Sequence, residues 1–262
     1  MKVSKKALVI MLSLVVALSV ALVGCSSSSG SKLVTEGKLT IGSDCDYPPF
    51  ISLENGKPVG FEYDLMKLIA DDLGLELVYL PPQNFDTLIP SINAGGKMDL
   101  AVSSLTITDE RKALVDFCLP YFDSNQAVVT MKSSDYAKAS DLAGKVVGAQ
   151  SGTTGEAWAK ENLAGSTVKP FNQTSEGLTA LQAGEIEAMI FDEPVASDRV
   201  ANTFTDCHII QVIPTGEQYG FAVSKENPKL RDQVNASLQK LIDNGTYADA
   251  FAKYFDFEPT IK

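Results

Sequence analysis

The sequence has few of the residues on which several kinds of site depend. It contains one histidine, His208, in a strand-like run with no ligand partner nearby. Neither a metal centre nor a histidine-based catalytic centre is therefore expected. The 33 acidic residues outnumber the 22 basic residues, and the net charge of −11 excludes nucleic acid as the expected partner, because acidic surfaces repel phosphate backbones. A P-loop lysine and the glycine spacing of dinucleotide sites are also missing, so neither a cofactor nor a catalytic residue is predicted.

Cysteine is scarce and scattered along the chain. Beyond Cys25 there are Cys45, Cys118 and Cys207, an odd number without CxxC spacing. We therefore expect small buried residues or free thiols, and no disulfide framework.

Long apolar runs are missing except near the N-terminus. Residues 1–24 have a lysine-containing start and an uncharged apolar run over 7–23, which is typical of a secretory leader. The run is shorter than the ~20 residues of a spanning helix, which disfavours a membrane-spanning anchor. The tetrapeptide ending at Cys25 resembles a bacterial lipobox. This resemblance implies cleavage before Cys25, a lipid (palmitate) on its thiol, a flexible tether over 25–37, and a folded part at the extracytoplasmic face of the bacterial membrane.

From residue 38 onwards, strand-like and helix-like segments alternate. The pattern predicts strands over 39–42 and 77–80, and amphipathic helices over 60–73 and 85–94 that each end at a glycine. This βαβα order is typical of α/β domains with parallel sheets covered by helices.

The C-terminal part continues the alternation. A strand is predicted over 219–223, followed by a long helix opened by the Asn-Pro pair at 227–228. A last helix begins at Thr246 and carries Tyr254 and Phe255. The apolar stripes of these helices are typical of core packing.

A first candidate binding segment follows an apolar, strand-like run. It offers the hydroxyls of Ser103, Ser104 and Thr106, and Arg111 stands just inside a helix that Thr108 opens. Helix starts attract anions and an arginine fork binds a carboxylate through two parallel hydrogen bonds, so the pattern predicts a carboxylate socket. The alternative is that Thr108 only caps the helix and Arg111 is a solvated surface charge.

A second set of polar groups is expected from the other half of the chain. A short internal repeat of helix end, glycine and strand leads to Ser103 in its first copy and to Asp192 in its second. The turn that contains Gln150, Thr153 and Thr154 offers further N–H groups and hydroxyls. Ligands of open α/β sheets bind beyond the carboxyl ends of strands, so these groups should face one crevice. A helix N-cap at Asp192 and an ordinary turn remain alternatives.

Two aromatic residues, Tyr47 and Phe85, lie at strand-to-helix junctions, where a ring can cover the aliphatic stem of a ligand. Pro48 and Pro49 stiffen the loop around Tyr47. Phe50 is expected in the core.

Taken together, these segments resemble the extracellular solute-binding proteins of polar amino-acid ABC transporters (bacterial solute-binding protein family 3) over about residues 39–257. The resemblance implies a two-lobed α/β fold of the type II periplasmic-binding-protein kind, with two crossover strands as hinge and the ligand between the lobes. Residues 38–122 and 217–258 would form the first lobe and residues 123–216 the second. The matching motifs are Asp44-x-x-Tyr47-x-Pro49-Phe50, Gly60-Phe61-x-x-Asp64-Leu65, Phe85-x-x-Leu88-Ile89-Pro90, Ser103-Ser104-x-Thr106-Ile107-Thr108-x-x-Arg111, Gln150-x-Gly152-Thr153-Thr154 and Asp192-Glu193.

The resemblance also implies a role for each candidate residue. Arg111 would clamp the ligand α-carboxylate, helped by the backbone N–H of Thr106 and by Thr154. Asp192, with oxygens of Ser104 and Thr106, would take the α-ammonium. Burying either charge without a partner would cost several kcal/mol, so both need a partner.

The ligand side chain would lie between Tyr47 and Phe85 and point its head group at Asp44. The serine pair that begins at Ser103 resembles the lysine/arginine/ornithine and histidine binders. Gln150 stands where the glutamine binder has a lysine, which leaves the distal pocket undecided. A cationic amino acid is expected first, glutamine second and a cystine-like ligand third.

The function that the resemblance implies is that of a monomeric carrier delivering its ligand to an ABC transporter permease. One alternative is an enzyme on the same fold, similar to cyclohexadienyl dehydratases, for which Asp44 or Glu193 could act as acid or base. A ligand-sensing receptor domain is another alternative. The sequence up to Lys262 shows no second membrane segment or kinase region, which disfavours it.

Overall fold

The structure, a computed structural model, describes residues 31–262. The predictions on the leader, on Cys25 and on the first part of the tether lie outside these residues. Among the described helices, none is both long enough and apolar enough to cross a membrane. The end of the predicted tether is bonded to the folded domain: Val34 N donates to Asp99 Oδ1 at 2.8 Å, and Asn227 Nδ2 donates to the Lys32 carbonyl at 2.7 Å.

Strands and helices alternate through most of the described chain. The strands are β1 (Lys38–Gly42), β2 (Asp46–Tyr47), β3 (Ile51–Glu54), β4 (Lys57–Val59), β5 (Glu76–Tyr79), β6 (Leu100–Ala101), β7 (Asp116–Phe117), β8 (Phe122–Met131), β9 (Val146–Gln150), β10 (Thr167–Phe171), β11 (Ala188–Asp192), β12 (Cys207–Tyr219) and β13 (Ala222–Val223). The α-helices are α1 (Phe61–Asp72), α2 (Leu88–Ala94), α3 (Asp109–Leu114), α4 (Thr154–Asn162), α5 (Thr174–Gln182), α6 (Glu193–Asn202), α7 (Pro228–Asp243) and α8 (Thr246–Phe251). Short 3₁₀ turns occupy Phe85–Thr87 and Ala139–Leu142.

Two of the predicted elements are wrong in extent. The single strand expected over 219–223 is divided, because Tyr219 ends β12 whereas β13 pairs with β6 and β7. Gly220 lies at the break, where a Cβ would stand 2.8 Å from Ile107 Cδ1. The last helix ends at Phe251, so Tyr254 and Phe255 belong to the turn that follows it.

Two mixed sheets form the centres of two lobes. The first sheet has the order β5-β1-β6-β13-β7 and the second has the order β10-β9-β11-β8-β12. Within them β1 is parallel to β5 and β6, and β9 is parallel to β10 and β11. The predicted parallel pairs are present, and the strands that return the chain, β13 and β8, are antiparallel to their neighbours, which makes both sheets mixed. We call the first sheet with α1–α3, α7, α8 and the β2–β4 sheet the first lobe, and the second sheet with α4–α6 the second lobe.

The long strands β8 and β12 connect the lobes. They pair antiparallel from Phe122 with Tyr219 to Met131 with Cys207, with a register shift between Ile213 and Glu217. The exact lobe boundaries at 122/123 and 216/217 stay a prediction.

The main apolar core continues from one lobe to the other. It contains residues of both sheets, together with Phe122 and Tyr219 from the connecting strands. Phe50 is fully buried, with its ring centroid 4.7 Å from that of Phe122 and 5.3 Å from that of Tyr219, which confirms its predicted core position.

The cysteines and the histidine lie where the sequence predicts them. Cys45, Cys118 and Cys207 are buried free thiols, and burial raises the pKa of each of them. His208 lies within β12. In residues 31–262, no group of three or more histidine, cysteine or acidic side chains is arranged to hold a metal ion.

Candidate ligand-binding site

The candidate residues meet at a small cavity between the lobes. The cavity is narrow, with room for little more than one water molecule between the side chains that line it. Most of the predicted site residues line it: Tyr47, Phe85, Ser104, Thr106, Arg111, Gln150, Thr153, Thr154 and Asp192. The other two, Asp44 and Ser103, do not line the cavity, but Asp44 bonds to Gln150, which does. Ser103 Oγ donates to Asp44 Oδ1 at 2.5 Å.

Arg111 lies across the cavity and bonds to both lobes. Its guanidinium donates to the Thr106 carbonyl at 2.7 Å and to the Gly152 carbonyl at 2.9 Å, and stands 5.4 Å from the centroid of the Phe85 ring. These bonds occupy two of its five N–H donors. Burial lowers the pKa of the guanidinium. Thr108 does cap α3, accepting from Arg111 N at 3.2 Å, but Arg111 is not a solvated surface charge.

Asp44 is buried beside the cavity but does not line it. Its Oδ2 accepts from Gln150 Nε2 at 2.8 Å. The same amide nitrogen donates to the Asn172 carbonyl, and Gln150 Oε1 accepts from Thr174 Oγ1, which fixes the amide orientation. Burial raises the pKa of Asp44, because its hydrogen-bond donors Ser103 and Gln150 are neutral and compensate only in part.

Asp192 is the last residue of β11 and is buried in the cavity wall. It stands at the N-cap position of α6, yet its side chain makes no capping hydrogen bond. Its carboxylate instead accepts from Gln126 Nε2 and Tyr219 Oη, and its N–H donates to Tyr47 Oη at 3.2 Å. Burial, reinforced by the charge of Glu217, raises the pKa of Asp192 to about 7.

Ser104 reaches the cavity in a conformation that few non-glycine residues adopt. Its φ is 47°, in the left-handed region. Glu62 holds it there: Oε1 accepts from Ser104 N at 2.6 Å, from Ser104 Oγ at 3.1 Å and from Tyr121 Oη. Glu62 is fully buried, and burial raises its pKa to about 7.

Thr106 and Thr154 face each other from the two lobes. Their hydroxyl oxygens are 3.4 Å apart, and both donate to Glu217 Oε2 at 3.0 Å. Gln126 Nε2 donates to Thr154 Oγ1 at 3.2 Å.

Thr153 lines the cavity but its hydroxyl has a local role. It caps α4 by accepting from Glu156 N at 3.1 Å, and it donates to the Gln150 carbonyl at 2.7 Å. The hydroxyl is therefore already committed to the turn.

A second contact between the lobes lies outside the cavity. Asp46, on β2 of the first lobe, accepts from Arg199 Nη2 of the second lobe at 2.7 Å. The same carboxylate accepts from Ser175 N and Oγ at 2.9 and 2.8 Å. The Arg199 and Asp46 side chains are only 10 and 15% exposed, so solvent screens this ion pair weakly.

Sequence reasoning missed four residues that organise this site. Glu62, Gln126 and Tyr219 are buried side chains whose partners lie far along the chain. Glu217 lies at the predicted boundary between the lobes, but nothing in the sequence indicated its contacts. A usable signal existed for Gln126, a polar residue directly before the apolar run Ala127–Val129 of β8.

Comparison with known proteins identifies the family. Residues 39–257 match the family described as bacterial extracellular solute-binding proteins, family 3. The chain is 31% identical to the L-cystine-binding protein TcyJ of Escherichia coli (strain K12) over 233 residues, covering 88% of this chain and 87% of that protein. It is 31% identical to the arginine-binding extracellular protein ArtP of Bacillus subtilis (strain 168) over 245 residues, 91% of this chain and 94% of ArtP.

A solved structure with the same fold is that of the arginine-, lysine-, histidine-binding protein ArtJ from Geobacillus stearothermophilus. It is 32% identical, has a TM-score of 0.79, and the match covers 86% of this chain and 97% of ArtJ. This likeness confirms the two-lobed fold that the motifs predicted. The chain belongs to the bacterial extracellular solute-binding proteins, family 3.

Proposed function

We propose that this protein captures a polar amino acid outside the cytoplasm, between its two lobes, and delivers it to an ABC transporter permease. The observation that carries the proposal is that Arg111 and Asp192 line one cavity from different lobes. An amino acid has a carboxylate and an ammonium at a fixed separation. A cavity with one cation and one acid in its wall satisfies both charges, and each would be costly to bury alone.

The carboxylate end belongs to Arg111. Two of its donors bond to backbone carbonyls of opposite lobes, which holds the guanidinium in place and leaves the other donors for an anion. The ammonium end belongs to Asp192, with Thr106 and Ser104 as oxygen acceptors. The rings of Tyr47 and Phe85 are available for the apolar stem of the ligand.

A cationic amino acid (arginine, lysine, ornithine or histidine) is the ligand that the distal end favours. Asp44 is a buried acid whose bonded donors are neutral, so a cationic head group would supply the counter-charge that is missing. Arginine-binding proteins among the relatives support this choice. Glutamine is second, because Gln150 Oε1 can accept a hydrogen bond from an amide head group. Cystine is third, and the cystine-binding relative supports keeping it among the candidates.

A dehydratase-like enzyme is less well supported by the site. Glu193, one of the two acids that could serve it, accepts a hydrogen bond from Ser197 Oγ within α6 and is not among the cavity residues. Asp44 is held by Ser103 and Gln150. Both acids thus have hydrogen-bonding roles that do not require catalysis.

The carrier would be a monomer that a lipid on Cys25 holds at the extracytoplasmic face of the membrane, near its permease. Family membership supports the extracytoplasmic location. Detection of a lipid-modified Cys25 in the mature protein by mass spectrometry would test the anchor.

A thermal-shift screen against the twenty amino acids, ornithine, citrulline and cystine tests the function. A ligand that binds only the folded state raises the melting temperature by mass action. We expect the largest increase with a cationic amino acid. No increase with any amino acid would contradict the proposal.

A further inference from the structure

Glu217 lies on β12, where this strand crosses between the lobes, and its carboxylate bonds to residues of both. Oε2 accepts from Thr106 Oγ1 of the first lobe and from Thr154 Oγ1 of the second, each at 3.0 Å. Both carboxylate oxygens lie within 3.2 Å of Gln126 Nε2. Glu217 does not line the cavity itself, but it bonds to two residues that do.

The directions of these hydrogen bonds follow from the chemistry of the groups. An ionised carboxylate only accepts, so both threonine hydroxyls must point their hydrogens at Glu217. Thr154 Oγ1 also accepts from Gln126 Nε2 at 3.2 Å. What Thr106 presents to the cavity is therefore an oxygen with free lone pairs, and not a hydroxyl hydrogen.

The donor hydrogens of Gln126 are also taken up by acceptors at this end of the site. Gln126 Nε2 has two hydrogens, and its contacts are the carboxylates of Asp192 and Glu217 and the hydroxyl oxygen of Thr154. Around Asp192, hydrogen-bond acceptors thus outnumber neutral hydrogen-bond donors. A group with three N–H donors and a positive charge suits such a place better than a hydroxyl, which has one donor.

We propose that Glu217 is a positioning residue that determines specificity: by taking the hydroxyl hydrogens of Thr106 and Thr154, it turns their oxygens towards the ligand and selects an α-ammonium over an α-hydroxyl. This inference rests on the proposed function. It also changes the role expected for Thr154, whose hydroxyl hydrogen is not available to the α-carboxylate. The carboxylate then depends on Arg111 and on backbone N–H groups.

The charges around the site agree with this assignment. Asp192 faces Glu217 and Tyr219 from β12, Tyr47 from β2 and, at longer range, Arg111 from α3. Glu217 raises the pKa of Asp192, next in effect after burial. The negative potential that Glu217 adds therefore favours a cation beside Asp192.

The test compares L-arginine with its α-hydroxy analogue, in which a hydroxyl replaces the α-amino group. Binding to wild type, Glu217→Gln and Glu217→Ala is measured by calorimetry. Glu217→Gln removes the negative charge and keeps one acceptor oxygen, whereas Glu217→Ala removes the charge and both acceptor oxygens. We expect both variants to weaken L-arginine by about tenfold or more and the hydroxy analogue by less than about threefold, because a charge-assisted interaction contributes more than a neutral one.

Two controls separate this role from a general structural one. Asp123→Asn removes a charge from β8, at a side chain that bonds to Gln218 and Thr260, and should change neither affinity. In a Thr106→Val background one of the two hydroxyls through which Glu217 acts is gone, so Glu217→Gln should weaken L-arginine by a smaller factor than it does in the wild-type background. Circular dichroism melts verify that each variant is folded.

Equal losses for L-arginine and its hydroxy analogue would overturn the inference, and so would an undiminished effect of Glu217→Gln in the Thr106→Val background. Either result leaves the proposed function standing. Absence of binding of any amino acid to the wild-type protein would overturn both.

Discussion

Gln150 Nε2 donates a hydrogen bond of 2.8 Å to Asp44 Oδ2, and this bond joins the two lobes beside the cavity. Gln150 ends β9 of the second lobe, and Asp44 follows β1 of the first. Because the Gln150 amide is fixed by Thr174 and by the Asn172 carbonyl, the acid meets an oriented neutral donor rather than a cation. Asp44 therefore has neutral hydrogen-bond donors and no ion pair among residues 31–262, so the proposed cationic head group would be its counter-charge.

Replacing that acid should discriminate between ligand classes. Asp44→Asn removes the charge with little change in shape, so L-arginine should bind about 10- to 100-fold more weakly, as expected for a lost charge-assisted bond. Glutamine should lose only a few-fold, because its amide head is neutral. Calorimetric titrations of both amino acids measure the difference. Equal losses would argue against a cationic head group at this position.

Arg111 should be essential for binding but not for folding. Arg111→Ala removes the carboxylate partner and should weaken amino-acid binding by at least ~100-fold, whereas Arg111→Lys should restore only part of it, because an ammonium lacks the two-pronged donor geometry. The matched control is Arg231→Ala, which breaks an ion pair with Asp116 and Asp232 on the protein surface. Wild-type affinity in Arg111→Ala would refute the carboxylate clamp.

Binding should weaken as the pH falls below about 7. The pKa of Asp192 is raised to about 7, mainly by burial, and an ammonium requires its ionised form. Below that pH, binding must first remove a proton, so the affinity for L-arginine should decline between pH 8 and pH 5. The Asp192→Asn variant should bind weakly at every pH. A flat affinity profile in wild type would contradict the assignment of Asp192 to the ammonium.

Without added ligand, the free energy of unfolding should decrease as the pH rises, opposite to the change expected for the affinity. Asp192 and Glu62 both have folded-state pKa values of about 7, above their ordinary values of 3.8 and 4.5. Between about pH 4 and 7 the folded state binds more protons than the unfolded state, so the contribution of these acids to the free energy of unfolding falls as the pH rises. The melting temperature should therefore decrease from pH 5 to pH 8. Asp192→Asn and Glu62→Gln should each flatten this slope, whereas Asp123→Asn should leave it as in wild type.

Glu62 should affect binding through Ser104 without contacting the ligand. Glu62→Ala leaves the Ser104 N–H and the Tyr121 hydroxyl without their acceptor and creates a cavity, which should cost about 2–4 kcal/mol of stability. Glu62→Gln retains an acceptor oxygen and should cost less. Denaturant unfolding gives both values, and affinity should fall in the same order. If both variants kept full affinity, the Ser104 conformation would not depend on Glu62.

The ion pair outside the cavity should strengthen binding by favouring contact between the lobes. Arg199→Ala removes the Arg199–Asp46 bond and should reduce affinity for every amino acid by a similar factor, about three- to tenfold. Selectivity should not change, because neither residue lines the cavity. Asp116→Asn, which breaks an ion pair within the first lobe, is the control. A loss confined to one amino acid would show that Arg199 acts inside the site.

The fold was largely predictable because its pattern is local. The apolar periodicity and glycine ends give α1 almost to the residue, and they give the end of α2, whereas residues 85–87 at the predicted start of α2 form a 3₁₀ turn. The break at Gly220 was not predictable, because it depends on Ile107 and Phe117, which lie far away in the sequence and leave no space for a side chain.

The residues of the candidate site were also predictable only in part. Side chains at the ends of β1, β6, β9 and β11 could be identified, since strand ends converge on one cleft. Gln126 and Glu217 could not, because they are 91 residues apart and their significance arises only when β8 and β12 pair. The side chains that touch the cavity were thus accessible to sequence reasoning, and those that orient them were not.

The ion pair between Asp46 and Arg199 has a consequence for how such carriers diversify. It joins the lobes without contributing a single atom to the cavity. We therefore expect substitutions at these two positions to change how tightly a solute is bound, while the residues that line the cavity continue to determine which solute is bound. Carriers from bacteria that live on scarce and on abundant nutrients can then share the same cavity residues and differ only in this ion pair between the lobes.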